Sequence, residues 1–209
     1  MLRIFDTKWS TTIAGPSPEG NQRTELFLKG CQKALQGSPC PGCFNQPLWD
    51  DWAEKFHRPE DVAEQIARFA PKKYVTIGGG EPTDQFEGLI ELCWHLKKKD
   101  FHILVYTHKE LETALLGPQV PYFEALLESI DILVDGPYEP SQRVYNEAAE
   151  DGFLNSIGSG NQVVWDVNRK RGYAMRDIIH MHLRPDRQLV FVLKQDALPK
   201  FFELERSVV

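Results

Sequence analysis

The sequence of 209 residues lacks several features that would assign it to a class at once. No segment approaches the ~20 consecutive apolar residues that span a bilayer, and the beginning, MLRIFDTKWS, lacks the apolar core of a signal peptide. The formal net charge is −6, and we interpret the densest basic stretches, Lys97–Lys99 and Arg169–Arg171, as solvated faces. These absences predict a cytoplasmic protein without a nucleic-acid or membrane partner.

Cysteine is scarce but concentrated: the chain has four, and three of them lie within thirteen residues. Cys31, Cys40 and Cys43 have the spacing C-x8-C-x2-C in a loop bent by prolines and glycines. In a reducing cytoplasm, clustered cysteines favour metal or redox chemistry over structural disulfides. The fourth, Cys93, lies in the middle of a predicted helix, and we interpret it as a buried, inert thiol.

Three cysteines leave several kinds of site open. Structural zinc almost always takes four protein ligands, and no fourth cysteine or nearby histidine completes this set. A cubane iron–sulfur cluster held by three thiolates would keep one iron open for a substrate. The pair Cys40 and Cys43 alone, within the motif C-P-G-C, could instead be a thiol redox couple.

Short apolar runs alternate with helical patterns along the chain and predict an α/β fold. The runs that suit buried parallel strands are Thr24–Gly30, Lys73–Ile77, Phe101–Tyr106, Ile130–Asp135 and Arg187–Lys194. Helices are predicted at Pro59–Ala70, Phe86–Lys99 and Pro121–Ser129. The region between Gly136 and Asp186 is predicted to be mostly loops, with a candidate strand at Asn161–Val167. We predict a single domain over residues 1–209 with about five parallel strands, too short for an eight-fold barrel.

Loops that follow parallel strands gather at one edge of a sheet. The cysteine loop, the GGGEP turn and Thr107–His108 all follow predicted strands, so we expect them to meet. Bare glycine backbone in GGGEP would let a ligand approach closely, and the carboxylate of Glu81 would suit an ammonium group. The turn could equally be a tight connection with a solvent-facing Glu81. It matches neither a dinucleotide-binding nor a phosphate-binding motif.

Three cysteines after the first strand and GGEP after the second resemble the radical S-adenosylmethionine (AdoMet) superfamily. Within it, the chain is most similar to the activating proteins of anaerobic ribonucleotide reductase. The similar segments are RTELFLKGC running into CPGCFNQPLW, then IGGGEPTDQ, IDILVDGPY and GSGNQVVWDV, across residues 23–167. The resemblance implies an incomplete parallel (β/α) barrel of the radical AdoMet type, with a cysteine loop at residues 30–47 and a variable C-terminal part at residues 136–209.

The resemblance also implies the cofactors and their ligands. A [4Fe–4S] cluster would be bound by Cys31, Cys40 and Cys43. The residues that would contact AdoMet are Phe44, Gly79, Gly80, Glu81, Thr107 and Asp135. Phe44 would lie near the adenine, and the glycines and Glu81 would receive the methionine amino end. Asp135 could instead be a turn residue. Ser159 and Asn161 would line the site, meet the partner or have a structural role.

The implied activity is radical chemistry. One electron from the cluster cleaves AdoMet, and the resulting 5′-deoxyadenosyl radical abstracts a hydrogen atom. The expected product is a glycyl radical on a partner enzyme, anaerobic ribonucleotide reductase, with flavodoxin or ferredoxin as the electron donor. One alternative is a radical AdoMet enzyme that acts on a small molecule, for example a deazapurine-type synthase. Another is a non-catalytic interaction module built around a cysteine–metal site.

The sequence departs from the usual C-x3-C-x2-C spacing of this family, because eight residues separate Cys31 from Cys40. Lengthening a flexible loop costs only about 0.6 kcal/mol per doubling, so we expect the added residues to bulge outward without displacing the ligands. The segment PSPEGN, residues 16–21, is also longer than its family counterpart. These departures put the exact subfamily and partner in question, while the cluster prediction stands.

Overall fold

The computed structural model describes residues 1–11, 14–18, 22–52, 55–144 and 158–204. The strands are Ile4–Thr11 (β1), Arg23–Leu28 (β2), Tyr74–Gly79 (β3), His102–Tyr106 (β4), Ile132–Asp135 (β5), Val163–Asp166 (β6), Arg171–Ala174 (β7), Ile178–Leu183 (β8), Leu189–Leu193 (β9) and Lys200–Phe201 (β10). The α-helices are Gln32–Leu35 (α1), Pro59–Phe69 (α2), Phe86–Lys98 (α3), Leu111–Ala114 (α4) and Val120–Glu128 (α5). The segment at 16–21 and the C-terminal part at 136–209 lie partly outside the described residues, and the single-domain assignment stays a prediction.

The predicted incomplete parallel (β/α) barrel of about five strands is wrong. Eight strands form one mixed sheet in the order β1-β2-β3-β4-β5-β6-β7-β10. Among the described strands, only β2, β3, β4 and β5 run parallel to one another. The outer strands of this sheet pair antiparallel with their neighbours, and β8 and β9 form a separate antiparallel pair.

The lengths of the connections explain this difference. A parallel pair needs a crossover of a dozen or more residues, whereas a short turn can join an antiparallel pair. Only residues 167–170 join β6 to β7, and only residues 184–188 join β8 to β9. The strand predicted at Arg187–Lys194 is therefore one arm of a hairpin and not a fifth parallel strand. Strands β7 and β8 occupy a region that was predicted as loops.

Successive residues of the central strands pack into two different hydrophobic layers. Ile103 and Val105 of β4 face the core that includes α2, α3 and α5, whereas Leu104 between them faces the β8–β9 hairpin. This alternation follows from the two-residue period of a strand. The helices therefore cover one face of the sheet and the hairpin covers part of the other.

The helices that connect the parallel strands lie where their sequence signals indicate. Helix α2 begins at Pro59 after the extended residue Arg58, and acidic residues occupy its first turn, where the helix dipole favours negative charge. Helix α3 buries Leu89, Leu92 and Leu96 against the sheet. Among the residues the structure describes, every helix is too short or too polar to cross a lipid bilayer.

Candidate functional site

The carboxyl ends of β2, β3 and β4 surround a cavity of about 290 Å³. The cysteine loop follows β2, the glycine-rich turn follows β3, and Thr107 and His108 follow β4. The residues of the predicted site that line this cavity are Cys31, Cys40, Cys43, Phe44, Gly79, Gly80, Glu81 and Thr107. The structure thus brings together the three loops that the order of strands predicts to meet.

The cysteine loop is held against the glycine-rich turn by hydrogen bonds from both sides. The side-chain amide of Asn45 donates to the carbonyl of Gly79 at 2.8 Å, and Asp84 accepts from the N–H of Gln32 at 2.7 Å. The N–H of Glu81 donates to the carbonyl of Gly30 at 2.7 Å, immediately before the first cysteine. These bonds position the thiols relative to the turn. Each bond joins a residue within two positions of a cysteine to a residue in the turn or within two positions of it.

The residues added between Cys31 and Cys40 form an outward projection. Four of them make the single turn of α1, which starts directly after Cys31 and has no buried residue. No described atom lies within 4 Å of the position that a Cβ on Gly37 would take. The segment from Gln46 returns toward Cys31, whose N–H donates to the carbonyl of Trp49 at 2.9 Å. The insertion therefore lengthens the outside of the loop and leaves its inner wall to the cysteines.

All three loop cysteines are free thiols, as is Cys93. Burial raises the pKa of the Cys31 and Cys40 thiols, so forming both thiolates requires a compensating cation. The backbone N–H of Asn45 donates to Cys43 Sγ at 3.4 Å. Cys93 is completely buried in the helical core, and burial raises its pKa strongly. The position of Cys93 agrees with its interpretation as an inert thiol.

Within the described residues, no group of three or more His, Cys, Asp or Glu side chains is arranged to hold a metal ion. The loop cysteines share a cavity without converging on one point. A tetrahedral zinc ion needs its ligands around a single centre, whereas a [4Fe–4S] cluster binds each thiolate to a different iron. The donor set of three thiols around one cavity therefore suits a cluster better than a single ion.

Glu81 lies in the wall of the cavity, with only 1% of its surface exposed. Its Oε1 accepts hydrogen bonds from the N–H of Thr83 at 2.9 Å, from Thr83 Oγ1 at 2.7 Å and from Thr107 Oγ1 at 2.8 Å. Its Oε2 accepts from the N–H of His108 at 2.8 Å and lies 2.5 Å from His108 Nδ1. Both oxygens are thus occupied by donors of the protein, and the solvent-facing alternative for Glu81 is wrong.

The network around Glu81 keeps the carboxylate ionised. Burial by itself raises the pKa of Glu81, but the hydrogen bonds and the charge of His108, with the hydroxyl of Thr83, outweigh it and lower the pKa to about 2. An ammonium group that binds this carboxylate has to displace one of its donors. The side chain of His108 is 20% exposed, so it is the donor with the most freedom to move.

The glycines of the turn allow two strands to pack closely and also leave the cavity accessible to a ligand. Gly79 has a φ of +115°, and a Cβ at this position would collide with the backbone of Leu28. A Cβ on Gly80 would collide with the carbonyl of Gly30. Only Gly78 has room, since its nearest neighbour would be the Tyr106 ring at 3.9 Å. Gly79 and Gly80 are therefore required by the approach of β3 to β2, and Gly78 keeps the cavity open.

Three residues singled out in the sequence do not line the cavity. Asp135 is buried, and its carboxylate accepts from the N–H of Leu111 at 2.5 Å. Ser159 Oγ donates to Asn161 Oδ1 at 2.7 Å, and the amide of Asn161 donates to the carbonyl of Pro137 at 2.7 Å. These contacts give Asp135, Ser159 and Asn161 structural roles in the loop that follows β5.

The floor of the cavity consists of residues that were not predicted from the sequence. Tyr106 lines it from the end of β4, Glu25 and Phe27 from β2, and Lys8 from β1. Glu25 and Phe27 are two residues apart, so both side chains point to the same face of the sheet. Burial raises the pKa of Glu25, with Lys8 acting in the opposite direction. The two-residue period of β2 is the signal that could have identified this pair.

Comparison with known families shows which family the chain belongs to. A family model described as a 4Fe-4S single cluster domain matches residues 18–165, well over half of the chain. The chain belongs to this family. It is an iron–sulfur protein, and the predicted [4Fe–4S] cluster is supported by this membership. No curated protein matches the chain significantly. The cysteines Cys31, Cys40 and Cys43 all lie within the matched residues and around one cavity.

Proposed function

We propose that this protein is a radical AdoMet enzyme that generates a glycyl radical on a partner enzyme, with anaerobic ribonucleotide reductase as the partner. The observation that carries the proposal is the meeting of three free cysteines and the GGGEP turn around one cavity. Membership of the 4Fe-4S family supports the cluster, and the four segments similar to the activating proteins support the choice of AdoMet and partner.

In this proposal Cys31, Cys40 and Cys43 hold the cluster and leave one iron for AdoMet. When bound, the cluster supplies the electron that cleaves AdoMet. Phe44 packs against Tyr138 with ring centroids 4.8 Å apart at the mouth of the cavity, where an adenine could stack. Glu81 holds Thr107 and His108 in the cavity wall through its hydrogen bonds. Flavodoxin or ferredoxin would supply the electrons.

Exposed aromatic side chains in the segment around the cysteines favour a protein partner. Phe44 is 52% exposed and Trp52 is 64% exposed, and Lys29 Nζ lies 5.4 Å from the Trp52 ring centroid. Aromatic residues with a nearby cation are typical of protein–protein interfaces. A partner that docks on this segment would present its glycine at the mouth of the cavity.

One feature of the cavity favours a second candidate, a radical AdoMet enzyme that acts on a small molecule such as a deazapurine precursor. Glu25 on β2 and Lys8 on β1 pair across the two strands and line the floor of the cavity, away from the cysteine loop. Charged groups in a cavity are suited to orienting a small polar substrate. Turnover of such a molecule without any protein partner would select this candidate.

The first experiment is anaerobic reconstitution with iron and sulfide, reduction with dithionite, and addition of AdoMet. We expect 5′-deoxyadenosine by chromatography and an EPR spectrum of the cluster that changes with AdoMet. A protein that retains zinc instead of iron, or a cluster indifferent to AdoMet, would exclude the radical reaction. With anaerobic ribonucleotide reductase added, we expect the EPR doublet of a glycyl radical, and none with a partner whose radical glycine is replaced by alanine.

A matched pair of carboxylate variants tests the assignment of the cavity wall. We expect Glu81→Gln to weaken AdoMet binding about tenfold or more while the iron content stays unchanged, because the anchor of Thr107 and His108 is lost. The control is Asp135→Asn, since Asp135 is equally buried but faces away from the cavity. Equal AdoMet affinity in Glu81→Gln would remove Glu81 from the site, and a loss in Asp135→Asn would restore Asp135 to it.

A further inference from the structure

A second cavity, of about 340 Å³, lies at the other end of the sheet. It is lined by three arginines, Arg169, Arg171 and Arg184, together with residues of β7 and of the β8–β9 hairpin. In the β6–β7 pair, Val163 and Ala174 lie at the end nearest the cysteine cavity, because Val163 also pairs with Asp135. Arg171 pairs with Asp166 at the opposite end. The arginine cavity is thus separate from the cluster site.

Two of the arginines, Arg169 and Arg171, differ in the hydrogen bonds that their guanidinium groups make. Arg169 donates to the carbonyl of Leu189 at 3.2 Å and to Gln188 Oε1 at 2.8 Å, and its Nε lies 3.7 Å from the carboxylate of Asp166. These contacts hold it as a rigid wall of the cavity. Arg171 Nε, in contrast, is buried and has no hydrogen-bond partner among the described residues. This Nε is closed off from the cavity as well as from solvent, so a ligand in the cavity would meet the terminal nitrogens of the Arg171 guanidinium group.

The charge of the cavity indicates what kind of anion fits. The lining residues include three arginines and no acidic side chain, and Asp166 beside them offsets about one charge. The remaining charge of about +2 matches a phosphate monoester, which carries about −1.5 to −2 at pH 7. Guanidinium groups also match the geometry of phosphate oxygens, which they can bind through two parallel hydrogen bonds. Such a site is notable in a chain whose net charge is −6.

The remaining walls are apolar and aromatic. The rings of Tyr173 and Phe191 pack with centroids 5.1 Å apart, and the guanidinium carbon of Arg171 lies 5.5 Å from the Tyr173 ring centroid. Leu189 and Leu193 complete this side. A ligand that fills both parts of the cavity therefore has a phosphate and an organic group of limited size, the combination found in a nucleoside monophosphate.

We propose that the cavity between β7 and the β8–β9 hairpin binds a small phosphate ester, with Arg171 and Arg184 contacting the phosphate. The stretch Arg169–Arg171, interpreted from sequence as a solvated face, is then part of a binding site. The site is independent of the iron–sulfur chemistry, since it lies at the opposite end of β6 and β7 from the cysteines.

Isothermal titration of the full-length, cluster-loaded protein with uridine 5′-monophosphate tests this proposal. Uridine replaces adenosine in the probe so that an AdoMet-binding cavity is not titrated instead. We expect saturable binding of the monophosphate, none of uridine, and an affinity at least ~10-fold weaker in Arg171→Gln and Arg184→Gln, since each loses charge-assisted hydrogen bonds. The matched control is Arg58→Gln, whose guanidinium is exposed and pairs with Glu60, and it should bind within twofold of wild type.

The outcomes separate phosphate recognition from its alternatives. If inorganic phosphate binds as tightly as the monophosphate, the organic group contributes nothing, and the proposal of an ester is overturned in favour of the free ion. Uridine binding as tightly as its monophosphate would overturn the proposal, as would unchanged affinity in both arginine variants or the absence of saturable binding by either phosphate probe. Because Arg184 is exposed, Arg184→Gln gives a result even if Arg171→Gln unfolds, which circular dichroism would reveal.

Discussion

The two ends of the parallel strands are built from different chemistry. At the amino ends, charged side chains pair directly: Lys97 Nζ lies 2.8 Å from Asp131, and Arg187 lies 2.8 Å from Asp100. At the carboxyl ends lie thiols, bare glycine backbone and a carboxylate, Glu81, that is held by threonine hydroxyls, backbone N–H groups and the side chain of His108. Ion pairs close the amino ends of the strands, whereas at the carboxyl ends small residues keep a cavity open, with the Glu81–His108 pair in its wall.

Strand β5 shows the same contrast within a few residues. Asp131, just before the strand, accepts from Lys97 and from the N–H of Ile103, and its pKa is lowered because nearby positive groups outweigh burial. Asp135, at the end of the strand, accepts from the N–H of Leu111, and burial raises its pKa to about 6. The same residue type is thus stabilised as an anion at one end and disfavoured as an anion at the other.

The largest effect should come from the three cysteines at the carboxyl ends of the strands. Replacing Cys31, Cys40 or Cys43 by alanine should abolish iron binding or make it labile, because each removes one of the three thiolate ligands that we propose for the cluster. Cys93→Ala should keep the full iron content, since Cys93 is completely buried in the helical core. Iron and sulfide analysis after anaerobic reconstitution checks both, and loss of iron in Cys93→Ala would contradict the ligand assignment.

The next largest effect should be on stability, and it should come from Asp131 at the amino end of β5. At pH 7, Asp131→Asn should lower the free energy of unfolding by about 1–2 kcal/mol, because it breaks a partly buried ion pair. The expected loss is smaller than that for a fully buried ion pair, because the side chain of Lys97 is 37% exposed and solvent screens the interaction. Urea denaturation followed by circular dichroism measures the change. Unchanged stability would mean that the pairing at the amino ends contributes little.

A pH series should reveal the opposite behaviour of Asp135. Its native pKa of about 6 lies above the ordinary value, so its contribution is fully present below about pH 4 and is lost as pH rises through 6. Asp135→Asn should therefore gain stability over wild type by about 1 kcal/mol or more between pH 4.5 and 7.

The matched variant in this series is Asp131→Asn. The native pKa of Asp131 is lowered, so its contribution is present at neutral pH and is lost as the pH falls through the native pKa. Urea midpoints of the two variants should diverge as pH rises. Parallel curves would show that the two ends of β5 do not differ in charge preference.

The smallest effect should come from an exposed pair beyond the end of α3. Lys99 Nζ lies 2.5 Å from Glu64, whose side chain is 63% exposed. Lys99→Met should change the free energy of unfolding by less than about 0.5 kcal/mol, as is usual for surface ion pairs. The same urea assay measures this change in the free energy of unfolding. A loss as large as that of Asp131→Asn would show that the difference in exposure does not explain the strengths of the two ion pairs.

Local patterns predicted the parts of the site that are close in sequence. The spacing of Cys31, Cys40 and Cys43 predicted a shared site, and the three cysteines do line one cavity. The GGGEP turn was placed correctly between a strand and a helix. The fold class was wrong because the two hairpins of the second half depend on pairings that apolar runs do not specify. A run such as that of β9 has the same composition whether its neighbour is parallel or antiparallel.

The sequence by itself determined which residue types follow the buried strands, because strand periodicity and turn composition are local properties. It also determined that the thiols were too few for a four-ligand zinc site. Only the tertiary structure decided that Glu81 is satisfied by Thr83, Thr107 and His108, while Asp135 faces away from the cavity. Apart from Thr83, the hydrogen-bond partners of these two carboxylates come from segments distant in sequence. Together with burial, they determine the charge preference and orientation of each carboxylate.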